Sequence, residues 1–195
     1  MKIGITGTHG VGKTSLAHSL CGELKERGIH AVVSSEHERQ SPFPAGTESR
    51  NSVEAQCWIL GKQFLEEIEL SSRYPVVICD RTMLCNYAYF LWNLEKAPPE
   101  VQNSPMVQVI KNMVREWLKT YTYFFRIPIS DQKTLMEDKF RSTTTDWQRE
   151  IDRIIDKAVE EFGIKQIVVP LATNTKRVDQ ILRVVGKDIG IETQP

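Results

Sequence analysis

The residues Gly7-Thr8-His9-Gly10-Val11-Gly12-Lys13-Thr14 match the phosphate-binding loop pattern, in which glycine, any four residues, glycine and lysine precede serine or threonine. Gly7 and Gly12 permit backbone conformations that a side chain would forbid, so the loop amides can turn inward around phosphate oxygens. Lys13 brings a positive charge to the terminal phosphates, and the hydroxyl of Thr14 suits a magnesium ion. With Ser15 directly after it, the stretch predicts a site for a triphosphate and magnesium.

The residues on either side of the loop follow the order that the motif requires. Lys2–Thr6 is a short β-rich run, and the stretch from Ser15 to Arg27 carries Leu16, Leu20 and Leu24 at helical spacing. The loop therefore opens a helix whose positively polarised N-terminus faces the bound anion.

The rest of the chain continues to alternate between strand-like and helix-like segments. Further strands are expected at residues 30–34, 75–79, 121–127 and 165–169, and helices at 51–72, 82–94, 105–119, 145–162 and in a last segment ending near 185. Capping boxes are expected at two helix starts, Asn51 with Glu54 and Thr145 with Gln148. The alternation predicts one α/β domain over residues 1–195, a three-layer sandwich with a five-stranded parallel sheet.

Composition and charge limit the classes of partner. The 195 residues are 41% hydrophobic and 26% charged, which is typical of a globular domain with a sizeable core. Twenty-five basic residues balance twenty-five acidic ones. A large phosphate-backbone footprint is therefore not expected, and nucleic acid is excluded as a partner, whereas a local basic pocket for one nucleotide is compatible with this balance.

The cysteines and the N-terminus bear on the compartment. Four cysteines are scattered without a Cys-x-x-Cys pair, which favours reduced thiols over a zinc site or a disulfide framework. The N-terminus runs directly into the first strand, leaving no room for a signal peptide, and no apolar run approaches the length of a membrane span. We expect a cytoplasmic protein with no membrane partner.

Polar residues that follow the strands are the first candidates for chemistry, because ligands of open parallel sheets bind at the carboxyl ends of the strands. Asp80 ends a continuous apolar run, so it is expected to hold magnesium through water or to accept a proton from an attacking hydroxyl. The alternative is a helix N-cap. Arg81 is a candidate to bridge donor and acceptor phosphates, with a surface salt bridge as the alternative.

Glu36 and Arg39 follow the second strand and are expected at the same edge of the sheet. Glu36 is a candidate base on the acceptor side, and Arg39 a clamp for a phosphate or carboxylate of the substrate. The charged run from Glu36 to Arg39 is equally compatible with a solvated surface.

The polar segment at about residues 130–148 is predicted to be a mobile lid. It contains Arg141, and phosphoryl transfer is favoured when a closing lid delivers arginine to the moving phosphate and excludes water. Arg149, just beyond it, is a weaker candidate with an exposed helix face as its alternative.

Taken together, these segments resemble a known family. The residues that carry the resemblance are Gly7 to Thr14, Glu36 with Arg39 and residues 41–44, residues 54–56 and 58–60, residues 80–84 and 86–89, and Arg141-Ser142 before Trp147-Gln148-Arg149-Glu150. They are similar to the AAA-like ATP-binding domain family related to the nicotinamide riboside kinase domain of NadR-type proteins. Its wider relatives are nucleoside and nucleotide kinases.

The resemblance implies a nucleoside and nucleotide kinase-like P-loop fold with a mobile lid, and magnesium-ATP as the phosphate donor. It also implies an acidic residue and an arginine directly after the third strand, and a second arginine in the lid. Asp80 and Arg81 match that pair, and Arg141 matches the lid arginine. The chain departs from the family where Cys85 replaces a frequent Asp and Lys139 a frequent Gly. The first departure argues against nicotinamide riboside as the acceptor.

We therefore expect an ATP- and magnesium-dependent kinase for a small hydroxylated or phosphorylated acceptor, with Lys13, Asp80, Arg81, Glu36 and Arg141 as its catalytic residues. One alternative is a nucleoside triphosphatase that acts as a regulatory switch read by a protein partner. Another is a nucleotide-binding module without turnover. The sequence leaves open the acceptor, the choice between ATP and GTP, and the oligomeric state.

Overall fold

The computed structural model describes residues 1–43, 52–129, 145–170 and 172–190, apart from the side chains of Arg39 and Thr145. The described residues form a five-stranded sheet with the strand order β2-β3-β1-β4-β5, in which every paired strand is parallel to its neighbour. The strands are β1 (Lys2–Thr6), β2 (Ala31–Ser34), β3 (Val76–Asp80), β4 (Tyr123–Arg126) and β5 (Ile167–Val168). The predicted fold class is confirmed.

Helices connect the strands, as parallel pairing requires. The α-helices in the described part are α1 (Lys13–Glu26), α2 (Val53–Arg73), α3 (Met83–Glu95), α4 (Pro99–Gln102), α5 (Pro105–Leu118), α6 (Thr145–Phe162) and α7 (Asn174–Val185). Short 3-10 helices lie at His37–Gln40 and Gly186–Ile189. None of the helices in the described ranges is both long and apolar enough to cross a membrane.

Two hydrophobic layers cover the sheet, one on each face. Ile3, Ile5 and Ile78 point to the layer that holds α1 and α7, whereas Val77 and Cys79 point to the layer that holds α2, α3, α5 and α6. The alternation follows from the two-residue period of a strand. Because both faces are covered, the three central strands are almost continuously apolar.

Gly4 lets the start of α3 approach the central strand. A Cβ atom at this position would lie 2.4 Å from Thr82 Cγ2 and 2.9 Å from Tyr121 Cδ1, so a larger residue would push α3 away. The hydroxyls of Thr6 and Thr82 are 3.3 Å apart. The N-terminus of α3 is thereby held beside the end of β1, where the phosphate-binding loop begins.

The capping box predicted at Asn51 is wrong, and the one predicted at Thr145 depends on a side chain outside the described residues. Ser52 caps α2 by accepting a hydrogen bond from the Ala55 amide at 3.2 Å, and Asn51 lies outside the described residues. Gln148 does not turn back toward the start of α6, because its Nε2 donates to the carbonyl oxygen of His9 at 2.6 Å. The four-residue pattern cannot distinguish a cap from a tertiary contact, since both use the same polar side chain.

Candidate active site

The phosphate-binding loop joins β1 to α1, and its glycines have the backbone roles predicted for them. Gly12 has a left-handed conformation (φ 88°) directly before the first residue of α1. A Cβ atom on Gly7 would lie 2.7 Å from the carbonyl oxygen of Ile127. The first amides of α1 have no partner within the helix, so they are available to an anion.

Lys13 is buried inside this loop, and its Nζ donates to the carbonyl oxygen of Thr8 at 2.7 Å. Thr14 and Ser15 lie on the exposed side of the first turn of α1. The loop therefore combines an ammonium group, helix-end amides and an accessible hydroxyl, which is the set of groups that binds phosphate with magnesium.

Asp80 is the last residue of β3 and pairs with Ile5 of the neighbouring β1. Its side chain is buried, and Oδ1 accepts no hydrogen bond from any residue that the structure describes. The N-cap alternative is wrong, because Thr82 caps α3 by accepting from the Cys85 amide at 3.4 Å. A buried carboxylate oxygen without a protein partner is costly, and a cation or a ligand proton would offset that cost.

Magnesium fits Asp80 and Thr14 by the chemistry of their oxygens. The described residues contain no group of three or more His, Cys, Asp or Glu side chains that could enclose a metal. Magnesium does not require such a cage, since it is commonly held by one or two protein oxygens together with phosphate oxygens and water.

Arg81 follows Asp80 in a left-handed backbone conformation (φ 92°), which is unfavourable for a residue with a side chain. The guanidinium is buried and forms ion pairs with Glu36 at 2.6 Å and Glu38 at 3.3 Å. Burial opposes its charge, but Glu36 first, with Tyr89 and Glu38 after it, raises the pKa of Arg81 well above its usual value. Arg81 is therefore a permanent buried cation, and the surface alternative is wrong.

The structure brings Glu36 to the same edge because β2 pairs with β3. The side chain of Glu36 is only 9% exposed, and the next residue, His37, is also buried and lies 3.0 Å from Glu66. Burial alone would raise the pKa of Glu66, but His37 and the Ser35 amide together lower it. The alternative interpretation, that this charged run is a solvated surface, is therefore wrong for Glu36 and His37. Arg39 belongs to the 3-10 helix at His37–Gln40, and its side chain lies outside the described part of the structure.

A cavity lies beside Arg81, on the α3 side of the phosphate-binding loop. It is lined by Glu38, Ser41, Gln56, Ile59, Arg81, Asn86, Tyr89, Trp92, Asn93 and Trp147. The buried side-chain amide of Gln56 has no hydrogen-bond partner among the described residues. Aromatic rings with a few polar groups are typical of a small-molecule site.

Helix α6 contacts the phosphate-binding loop directly. Gln148 bonds to the His9 carbonyl, and the ring of Trp147 lies 4.6 Å from that of His9 between centroids. The hydroxyl of Tyr89 lies 3.0 Å from Nδ1 of His9. The sequence did not predict these contacts between α6, α3 and the loop.

Arg126, the last residue of β4, was also missed. Its Nη2 forms ion pairs with Asp152 at 2.8 Å and Asp156 at 3.0 Å, and both carboxylates come from α6. Burial raises the pKa of Asp152, although Arg126 opposes this shift. The pairing fixes α6 against the strand end that adjoins Gly7.

The lid and its arginine lie outside the described part of the chain. The structure does not describe residues 130–144, which include Arg141 and Lys139, so the roles predicted for these two residues stay predictions. Arg149 is 63% exposed and lies 3.9 Å from Asp146.

Cys85 lies against the phosphate-binding loop and does not line the cavity. Its sulfur lies 3.5 Å from the Gly7 amide nitrogen. All four cysteines are free thiols, as predicted.

The strain at Arg81 gives a stability prediction. Arg81→Gly and Arg81→Ala both remove the guanidinium and leave Glu36 without this partner, so both variants should lose activity and stability. Glycine accepts a φ of 92° without cost, whereas alanine does not. We expect the glycine variant to be more stable than the alanine variant by about 1 kcal/mol in urea unfolding. Equal stability of the two variants would contradict backbone strain at this position.

Comparisons with solved structures place the fold among known proteins. A crystal structure of NadR protein in complex with NAD and AMP-PNP aligns with 100% of this chain at 15% identity and a TM-score of 0.68. The chain spans only 51% of that protein. Deoxyadenosine kinase from M. mycoides with bound dATP aligns with 95% of the chain at 17% identity and a TM-score of 0.69, over 100% of its own length.

Thymidylate kinase from Ehrlichia chaffeensis aligns with 95% of the chain and 98% of its own, at 16% identity and a TM-score of 0.59. At these identities the similarity establishes the fold alone. A comparison with curated proteins found no match. The model of one protein family, described as an AAA domain, matches residues 2–177. The chain therefore belongs to the AAA domain family.

Proposed function

We propose that the protein is an ATP- and magnesium-dependent kinase that transfers the γ-phosphate to a small, nucleoside-like acceptor. The observation that carries the proposal is the cavity beside the phosphate-binding loop, with the buried cation of Arg81 at its wall. A nucleotide switch needs only the donor site, whereas phosphoryl transfer also needs a second site within reach of the terminal phosphate.

The described positions of the loop, Asp80, Arg81 and Glu36 support the roles proposed for them, whereas the roles of Arg39 and Arg141 rest on the sequence alone. Lys13 and the first amides of α1 would hold the donor phosphates, and Thr14 with Asp80 would position magnesium, which supplies charge stabilisation when bound. Asp80 or Glu36 would take the proton of the acceptor hydroxyl. Arg81, and Arg141 from the lid, would stabilise the charge on the transferring group, while Arg39 would contact the acceptor.

Three similarities support the proposal. The NadR structure contains AMP-PNP, an ATP analogue, the deoxyadenosine kinase contains dATP, and the third protein is a thymidylate kinase. Each of these proteins therefore has a name or a ligand connected with nucleotides. Their shared fold makes a donor site for ATP and an acceptor site for a small molecule the expected arrangement here.

The direct experiment is incubation of the protein with magnesium-ATP and a library of nucleosides, nucleotides and dinucleotide cofactors, read by mass spectrometry. We expect at least one member of the library to gain a phosphate group, and the same sample without magnesium to yield none. Turnover of ATP to ADP with no phosphorylated acceptor would contradict the kinase proposal.

A triphosphatase that acts as a switch is the second candidate. It is favoured by the hydrogen bond from Gln148 of α6 to the His9 carbonyl, which links the loop to a helix that could respond to the nucleotide. This candidate requires slow hydrolysis without acceptor and different protease sensitivity in ATP-analogue and ADP complexes. Equal sensitivity in the two complexes would remove it.

A further inference from the structure

A buried polar network lies behind the cavity, and its centre is Glu67 of α2, which is 0% exposed. The carboxylate lies 3.0 Å from Lys2 Nζ and accepts hydrogen bonds from Trp117 Nε1 at 2.7 Å and the Tyr121 hydroxyl at 2.6 Å. Gln63 Nε2 donates to the same carboxylate at 2.7 Å. Four donor groups therefore converge on a carboxylate that does not line the cavity.

The network fixes which way the Gln63 amide faces. Its nitrogen lies within hydrogen-bond distance of two acceptors, the Glu67 carboxylate and, at 3.0 Å, the carbonyl oxygen of Arg81. A carboxylate and a backbone carbonyl can only accept hydrogen bonds. If the Gln63 amide were reversed, its oxygen would face both of these acceptor oxygens with no hydrogen between them. The oxygen of Gln63 must then face Asn86.

Asn86 is fixed in turn. Its Nδ2 donates to Gln63 Oε1 at 2.6 Å, and a reversed Asn86 amide would set two carbonyl oxygens against each other. Asn86 lines the cavity, and its Oδ1 receives no hydrogen bond within the described ranges. The orientation that the network imposes therefore leaves a carbonyl oxygen of Asn86 for a ligand.

We propose that Glu67 is a positioning residue that sets the hydrogen-bonding polarity of the cavity. Through Gln63 it makes Asn86 present an acceptor oxygen, so the cavity favours a substrate that offers an N–H or O–H donor at this point. The claim about substrate choice rests on the proposed kinase function, whereas the claim about the two amides does not.

Glu67→Gln should abolish this fixed polarity while keeping the shape of the side chain. Lys2 and Trp117 can only donate, so the new amide keeps its oxygen toward them and turns its nitrogen toward Gln63. The new nitrogen at position 67 then opposes the nitrogen of Gln63, whereas the Arg81 carbonyl oxygen still favours it, so the orientation of the Gln63 amide is no longer fixed. Asn86 then no longer presents its oxygen alone, because its amide nitrogen also faces the cavity whenever Gln63 reverses.

The first arm of the test uses the side-chain amide signals of Asn86 and Gln63 in ¹⁵N–¹H spectra of the ligand-free protein. In Glu67→Gln we expect the Asn86 amide protons to shift and to exchange faster with solvent, because their nitrogen is no longer held against Gln63. The matched control is Glu116→Gln, a 66% exposed position on α5, which should leave both amides unchanged. Identical Asn86 signals in all three proteins would overturn the proposal.

The second arm compares phosphorylation of two probe pairs, deoxycytidine with deoxyuridine and deoxyadenosine with deoxyinosine. Each pair exchanges an amino donor for a carbonyl acceptor. We expect the wild type to favour an amino member by about tenfold in kcat/KM, mostly through KM, and we expect Glu67→Gln to lower that ratio toward one. A ratio that Glu67→Gln leaves unchanged overturns the proposal but leaves the kinase function intact.

Failure of the two ideas can be told apart. If no probe is phosphorylated but the Asn86 signals change as expected, the positioning role stands and the kinase function is weakened. If Glu67→Gln does not fold, Gln63→Met replaces it, since it cuts the connection and leaves the other three partners of Glu67. In that variant the preference within each pair should fall toward one, and a preserved preference contradicts the proposal.

Discussion

Replacing Lys13 by alanine is expected to lower the rate of ATP use by about 10²–10³-fold while the protein stays folded. The ammonium of Lys13 is buried in the phosphate-binding loop, where it bonds to the Thr8 carbonyl at 2.7 Å. A fixed charge in such a site acts on the phosphates with little screening by water, so its removal should directly lower transition-state stabilisation. Steady-state ADP release, with ATP affinity from calorimetry, measures the effect.

Lys25→Ala is the matched control, because Lys25 is an exposed residue in the last turn of the same helix. It should leave both the rate and the melting temperature close to those of the wild type. If Lys13→Ala turned over ATP at the wild-type rate, the loop would not be the site of nucleotide use. The kinase and switch hypotheses would then both lose their premise.

The second large effect is expected from Asp80→Asn, which keeps the shape of the side chain and removes its charge. We expect a rate about 10²-fold lower and a higher magnesium concentration for half-maximal activity, because a neutral amide is a weaker ligand for the ion and a poorer base. ATP binding without magnesium should change little. A magnesium titration of ADP release at saturating ATP tests both statements.

Stability separates a functional from a structural role for Asp80. Its Oδ1 is buried without a hydrogen-bond partner in the described part of the chain, so removing the charge should leave the melting temperature equal or higher. A structural carboxylate would give the opposite result. Asp179→Asn, on the exposed side of α7, is the control for the substitution itself. An unchanged magnesium dependence in Asp80→Asn would contradict the metal assignment.

The fold could be predicted because its determinants are local. The glycine and lysine spacing of residues 7–14 requires a strand before it and a helix after it, and the apolar run at residues 75–79 has the composition of a doubly covered strand. The positions of Asp80, Arg81 and Glu36 followed from a general rule, that the carboxyl ends of parallel strands meet at one edge. The ion pair between Glu36 and Arg81 agrees with that rule.

The rest of the site depends on how helices pack, which short sequence patterns do not encode. Gln56 and Asn86 line the same cavity because α2 and α3 pack side by side, although 29 residues lie between them in the sequence. Gln148 carried a real signal as a polar residue near a helix start, but the signal was interpreted as a cap. The left-handed backbone of Arg81 had no signal at all, since arginine is not a residue expected there.

The contact between the rings of Trp147 and His9 places a natural fluorophore against the phosphate-binding loop. Trp92 is close by, with a ring centroid 5.7 Å from that of Trp147. Emission from this pair depends on its surroundings, so a ligand that alters the loop or fills the cavity changes the signal without any attached dye. Nucleotides and candidate acceptors can therefore be titrated separately by intrinsic fluorescence, with Trp147→Phe identifying the part of the emission that belongs to the loop.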